Sequence, residues 1–248
     1  MLYACTGEDL DNGDGDRDTG PYAEIRTELE YYQLIQNAAA VPVAYRFSNC
    51  MLYSQPLNWL YLTGPYYYKF HADQKQYRYV VIGDSSIDYA SRYDGFLGAD
   101  TQSVAVQGNK VCDMLTQLPA INTVAPEAII ISTTGGNDLI TGQFLEIDKT
   151  FMELFQELKK RFPSSKIIAI AIPPINDENL NAQHDYINRK ALLTLQNVFP
   201  AGRFCWIDPE SVSGNPPSTL LFFDKIHYSP AGASLIKEMV YKECGIYF

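Results

Sequence analysis

Beyond Gln76 the chain alternates short apolar runs with amphipathic segments. Tyr77–Ile82, Ser103–Gln107, Ala128–Ser132, Lys166–Ile172 and Phe204–Ile207 are rich in β-branched or aromatic residues and have the length of strands. Between them, Phe151, Leu154, Phe155, Leu158 and Phe162 recur at three- and four-residue intervals, as do Ile187, Ala191, Leu195 and Val198. That spacing puts each set on one face of a helix, and Pro163 and Pro200 stop the two helices. A last helix is predicted with Ser229 as N-cap and Pro230 in its first turn, running through Leu235 and Met239 to about Lys242. Strands this uniformly apolar are covered on both faces. The expectation is therefore an α/β protein: a three-layer α/β/α sandwich around a central, mainly parallel five-stranded sheet. Chemistry in such sheets gathers at the carboxyl ends of the strands.

The first third of the chain has another character. Residues 1–21, with Asp9, Asp11, Asp14, Asp16 and Asp18 among glycines, read as an acidic flexible tether. The alternating aspartates fail as an EF-hand loop, because Thr19 stands where glycine is needed and Ile25 where a bidentate Glu belongs. Residues 22–75 read as a Tyr-rich accessory region, a helix over Tyr22–Ala40 followed by an aromatic stretch over 41–72 that includes Tyr66-Tyr67-Tyr68. Residues 76–248 carry the alternating pattern and form the main domain.

Charge follows the same division. Of a formal net charge of −10, most arises in Met1–Glu30, where nine acidic residues face Arg17 and Arg26. The body is nearly neutral and has no Lys/Arg cluster to meet a phosphate backbone, which argues against nucleic-acid binding. Cys5, Cys50, Cys112, Cys205 and Cys244 lie far apart and form no Cys-x-x-Cys or Cys/His pattern, which argues against bound zinc. Two readings of the cysteines stand: reduced core thiols in a cytoplasmic protein, or up to two disulfides with one cysteine set aside. Leu2-Tyr3-Ala4-Cys5 has the form of a lipoprotein cleavage site, which would make Cys5 a membrane tether and the protein extracytoplasmic.

Three short motifs fall where the strand-end rule puts chemistry. Gly83-Asp84-Ser85-Ser86 follows the first strand, Gly135-Gly136-Asn137-Asp138 the third, and Asp224-Lys225-Ile226-His227 precedes the final helix. A serine hydroxyl needs a base within hydrogen-bond reach. Of His71, His184 and His227, the last has a carboxylate three residues before it that can fix its tautomer; the other two are expected at the surface. Asp84 and Asp138 are read as structural acids that hold their loops through backbone hydrogen bonds.

In this order the motifs resemble those of the SGNH (GDSL-type) hydrolase family. Ser85 matches the nucleophile block, although Ser86 replaces its leucine. Gly108, after the second apolar run, corresponds to the glycine block, without the usual upstream Asn. Asn137 and the Asp224/His227 pair match the remaining two blocks. The resemblance spans about Tyr77 to Tyr241 and implies the flavodoxin-like SGNH fold, with Ser85, Asp224 and His227 catalytic and Ser85, Gly108 and Asn137 forming an oxyanion hole.

It also implies carboxylic-ester hydrolysis through an acyl-serine, without metal or organic cofactor. The expected partner is a small-molecule or glycan ester, short acyl groups such as O-acetyl being favoured because no long apolar lid accompanies the motifs. A lysophospholipase or short-chain lipase, and an O-acyltransferase using the same triad, are alternatives among enzymes. A carbohydrate-binding module built on an inert hydrolase fold is the alternative outside them.

Overall fold

The computed structural model describes residues 75–248, apart from residues 119–120, 122, 133, 143, 145, 176–177, 215–220, 223 and 225. The tether, the Tyr-rich region, Cys5, Cys50 and His71 lie outside the described residues.

Five strands form one parallel sheet: β1 (Tyr79–Ile82), β2 (Thr101–Ser103), β3 (Ala128–Ile131), β4 (Lys166–Ile170) and β5 (Phe204–Ile207), in the spatial order β2-β1-β3-β4-β5. The registers Val80↔Ile129, Ile129↔Ile167 and Ile168↔Cys205 align the strands so that their carboxyl ends share one edge. Because side chains alternate across a strand, each apolar run supplies two cores. Val80, Ile82, Ile129, Ile131, Ile167 and Ala169 face one layer; Tyr79, Val81, Ile130, Ile168 and Ile170 face the other.

The first core is closed by α2 (Val111–Gln117), α4 (Ile147–Arg161) and α5 (Glu178–Val198), through Met114 and Leu115, Phe151, Leu154 and Phe155, and Ile187, Ala191 and Leu195. The second is closed by α1 (Ser85–Ala90) and α7 (Pro230–Cys244), through Ile87, Ala90, Ile236, Met239 and Val240. Two short helices, α3 (Gly136–Ile140) and α6 (Glu210–Ser213), follow β3 and β5. This is the three-layer α/β/α sandwich that the apolar pattern implied.

The final helix begins as predicted: Ser229 caps it, its hydroxyl accepting from the Gly232 N–H at 3.1 Å, with Pro230 in the first turn. One element differs from the sequence reading. The second strand occupies Thr101–Ser103 rather than 103–107. Its apolar continuation Val104–Val106 is buried and still donates from Val104 N to Val81 O and from Val106 N to Gly83 O, but the ladder loosens as the chain turns toward Gly108. Helix α5 starts at Glu178, two turns before its apolar stripe. Those turns are polar because they hold a loop: Asn181 exchanges two hydrogen bonds with the backbone of Ile175, and Asn188 two with Ile172.

Cys205 of β5 and Cys244 of α7, 39 residues apart in sequence, form a disulfide, which agrees with the second of the two cysteine readings. No helix among the described residues is long and apolar enough to cross a membrane.

Candidate active site

At the end of β1 the chain passes through Gly83 into α1, whose N-cap is Asp84. The Asp84 Oδ1 accepts from the Ser86 N–H at 3.0 Å, so the cap fixes the turn on which Ser85 stands. Asn109, buried beside it, donates to the Gly83 carbonyl at 2.8 Å and binds the neighbouring loop to this turn. That loop carries Gly108 at φ +78°, left-handed backbone that a side chain would strain. No atom of the described residues would obstruct a Cβ at Gly108; the residue borders the cleft.

Beyond β3 the chain turns at Gly135, φ +96°, and enters α3 with Asn137 and Asp138 in its first turn. The Asn137 amide donates to the Asn109 carbonyl at 2.9 Å and, at the longer distance of 3.5 Å, to Asp84 Oδ2. Asp138 turns the opposite way and accepts from the Val111 N–H at 3.0 Å, joining α3 to the start of α2. Asp84 and Asp138 thus hold backbone, the role assigned to them from sequence. Burial pushes the Asp138 carboxyl up to about 7, the Val111 N–H opposing the shift.

The third motif lies in the loop before α7, closed at its base by the antiparallel bridge Phe222↔Tyr228. Asp224 Oδ1 accepts from the Ile226 and His227 N–H groups at 2.7 and 2.6 Å, leaving Oδ2 for His227 Nδ1 at 2.7 Å. His227 Nε2 then meets Ser85 Oγ at 2.8 Å, across 142 residues of sequence. Partial burial draws the Asp224 carboxyl upward, but hydrogen bonds from the His227 ring and from the two N–H groups outweigh it and hold the group below the usual carboxylate value. Asp224 therefore stays ionised at neutral pH, as a partner for an imidazolium must.

Ser85, Gly108, Asn137 and His227 all line one cleft of about 480 Å³, with Asp224 behind the histidine. Its remaining walls are largely apolar: Tyr89, Leu139, Ile140, Ile172, Pro173, Ile175 and Ile226. Several contributors carry no motif. Tyr89 packs edge-on to the His227 ring, centroids 4.8 Å apart. Asp88, buried, pairs with Arg92 and receives Gln107 Nε2 at 3.1 Å just before Gly108. Tyr89 and Asp88 sit one turn beyond Ser85, a spacing that could have suggested them. His184 is not at the surface but 2% exposed, because positions 184, 187, 188 and 191 share the inward face of α5.

No family model and no curated protein matches the chain. Solved structures do match. A GDSL-like lipase from Bacteroides thetaiotaomicron aligns with TM-score 0.58 at 14% identity, covering 71% of this chain and 95% of that one. An acetyl xylan esterase from Geobacillus stearothermophilus aligns with TM-score 0.54 at 17% identity, covering 71% and 99%. A protein from Streptococcus pneumonia described as a platelet activating factor aligns with TM-score 0.60 at 17% identity, covering 71% and 88%. At such identities the likeness is one of fold, and the fold is that of the SGNH (GDSL-type) hydrolases.

Proposed function

We propose that the protein is a serine ester hydrolase working through an acyl-enzyme at Ser85. The observation that carries this reading is the unbroken line Ser85 Oγ, His227 Nε2, His227 Nδ1, Asp224 Oδ2, with contacts of 2.8 and 2.7 Å. As Ser85 Oγ attacks a carbonyl carbon, its proton passes to His227 Nε2, and Asp224 stabilises the resulting imidazolium. The developing oxyanion accepts from the backbone N–H groups of Ser85 and Gly108 and from the side-chain amide of Asn137. His227 returns the proton to the leaving alkoxide, and the acyl-serine remains. Water then attacks it, with His227 as base, and Ser85 is released with the acid.

The cleft favours a small ester. Its volume of about 480 Å³ lies in the lower half of ligand-pocket sizes and suits a short acyl group, such as acetyl, with part of its alcohol. The acetyl xylan esterase with the same fold makes O-acetyl carbohydrate the substrate class proposed first. The apolar wall of Ile140, Ile172, Pro173 and Ile175 favours a second reading, a short-chain lipase or lysophospholipase.

Hydrolysis of p-nitrophenyl acetate by wild type and by Ser85→Ala tests the nucleophile. The substitution should lower turnover by roughly three to six powers of ten with the fold intact. Equal rates in both proteins would refute an acyl-serine and favour an inert, carbohydrate-binding scaffold. A series of longer nitrophenyl esters separates the two substrate readings: activity falling steeply beyond acetyl and butyryl supports the first, activity rising with chain length the second. Adding a glycan acceptor and analysing products distinguishes hydrolysis from acyl transfer.

A further inference from the structure

Away from the Ser85 cleft, three ligand-type side chains converge at the start of α5 and the start of α6. His184 Nε2 lies 3.4 Å from Asp185 Oδ1 and 3.5 Å from Glu210 Oε2, and the three ligand atoms all fall within 4.8 Å of one another. The histidine is 2% exposed, whereas both carboxylates reach solvent. Its other nitrogen, Nδ1, is 2.5 Å from the Asn181 carbonyl oxygen. A carbonyl can only accept, so Nδ1 carries the hydrogen and a neutral His184 turns the lone pair of Nε2 outward.

That lone pair faces two carboxylates, an arrangement that repels unless something positive lies between them. A proton on Nε2 would draw a carboxylate to the 2.7–2.9 Å of a charge-assisted hydrogen bond. The observed 3.4 and 3.5 Å are longer. They are close to the separation of about 3.3 Å between ligands of a tetrahedral ion with metal–ligand bonds of about 2.0–2.1 Å, while the three ligand atoms together span up to 4.8 Å and must draw in around an ion. A histidine with its second nitrogen hydrogen-bonded to a backbone carbonyl is also how proteins orient imidazole toward a metal.

We propose that His184 Nε2, Asp185 and Glu210 bind a divalent first-row cation of the zinc class, water taking the fourth position. One nitrogen and two carboxylate oxygens suit such an ion better than calcium or magnesium, which take oxygen alone. Asp185 and Glu210 are exposed enough to close that gap around it. The ion would clasp α5 to α6, and none of its three ligands lines the Ser85 cleft.

The test uses the full chain, stripped with chelator and titrated with Co²⁺ followed by absorption and with Zn²⁺ by calorimetry. The expected result is one equivalent bound, with intensified visible bands marking four-coordinate Co²⁺ and a Tm that rises with Zn²⁺ concentration. Glu210→Gln and Asp185→Asn, both at accessible positions, should each weaken binding at least about tenfold, while p-nitrophenyl acetate turnover by Glu210→Gln stays at the wild-type level. His184→Gln should abolish the site if the variant folds. Absence of binding, or binding unchanged in Glu210→Gln and Asp185→Asn, overturns the proposal. Binding lost in His227→Ala instead overturns it too, since it would place the ion in the Ser85 cleft.

Discussion

Asp138 is the side chain whose behaviour is least visible from its place in a motif. Its carboxyl is raised to about 7 by burial; Val111 N–H and the nearby Lys110 pull it down, while Asp113 adds to the rise. Below about pH 4 folded and unfolded chains both keep this proton. Between there and 7 the unfolded chain releases it while the folded chain retains it, so Asp138 makes stability fall as pH rises; above 7 the penalty is constant. Asp138→Asn keeps an oxygen for the Val111 N–H and removes the ionisation. The variant should gain about 2–4 kcal/mol over wild type at pH 8 and little near pH 4, read from denaturant midpoints at the two pH values. A constant difference would mean that Asp138 does not titrate. Beside it, Asn137→Ala should lower kcat by about a hundredfold or more and KM much less, because in the proposed mechanism the amide meets an oxyanion that exists only beyond the ground state. A parallel rise in KM with kcat preserved would make Asn137 a ground-state contact. Ser85, Asn137, Asp224 and His227 were legible because each combines a reactive side chain with a strand end or a helix entrance. The charge state of Asp138 and the burial of His184 were not, since both depend on neighbours remote in sequence.

Helix α7 shows how an element positions chemistry without taking part in it. Gly232, in its first turn, lies so close to the preceding loop that an added Cβ would stand 2.1 Å from the Leu221 carbonyl oxygen. The same carbonyl accepts from the Ser229 N–H at 2.9 Å. Loop and helix therefore fit with no room between them, and the loop carries Asp224 and His227. Gly232→Ala must push α7 or the loop outward. We expect a loss of about 1–3 kcal/mol or more, and a fall in kcat larger than lost stability alone explains, because Ser85 to His227 is one hydrogen bond long. Thermal melts and turnover on the same samples check it; wild-type turnover in a destabilised variant would show that the loop is set independently of the helix. Periodicity revealed α7, α4 and the cap at Ser229, where local chemistry decides. It missed the limits of β2, because the apolar run Val104–Val106 still donates to the Val81 and Gly83 carbonyls but leaves the strand as the chain turns toward Gly108.

The whole molecule brings the first motif of the sheet and the last one together, so the candidate site depends on closure of the entire body. Apolar runs and their alternation with helices made the layers and the parallel sheet legible, while pairing across the chain's length had no local signature. The C-terminal residues make that closure visible. Phe248, 1% exposed, meets Phe96 edge-to-face with centroids 5.7 Å apart, and Lys237 of α7 donates to the Gly95 and Phe96 carbonyls at 2.8 and 2.6 Å. Gly95 and Phe96 lie in the connection from α1, which starts at Ser85, to β2, which leads to Gly108. Phe248 and Lys237 thus fasten the connection between Ser85 and its neighbouring loop. Phe248→Ala empties a ring-sized volume in the second core and should cost about 3–5 kcal/mol, seen as a fall in Tm of roughly 2–4 °C per kcal/mol. Because Phe248 is absent from the cleft lining, turnover per folded molecule at low temperature should remain that of wild type. A variant with wild-type Tm and collapsed turnover would instead mean that the C-terminal contact tunes the Ser85 loop directly, with no role in holding the body closed.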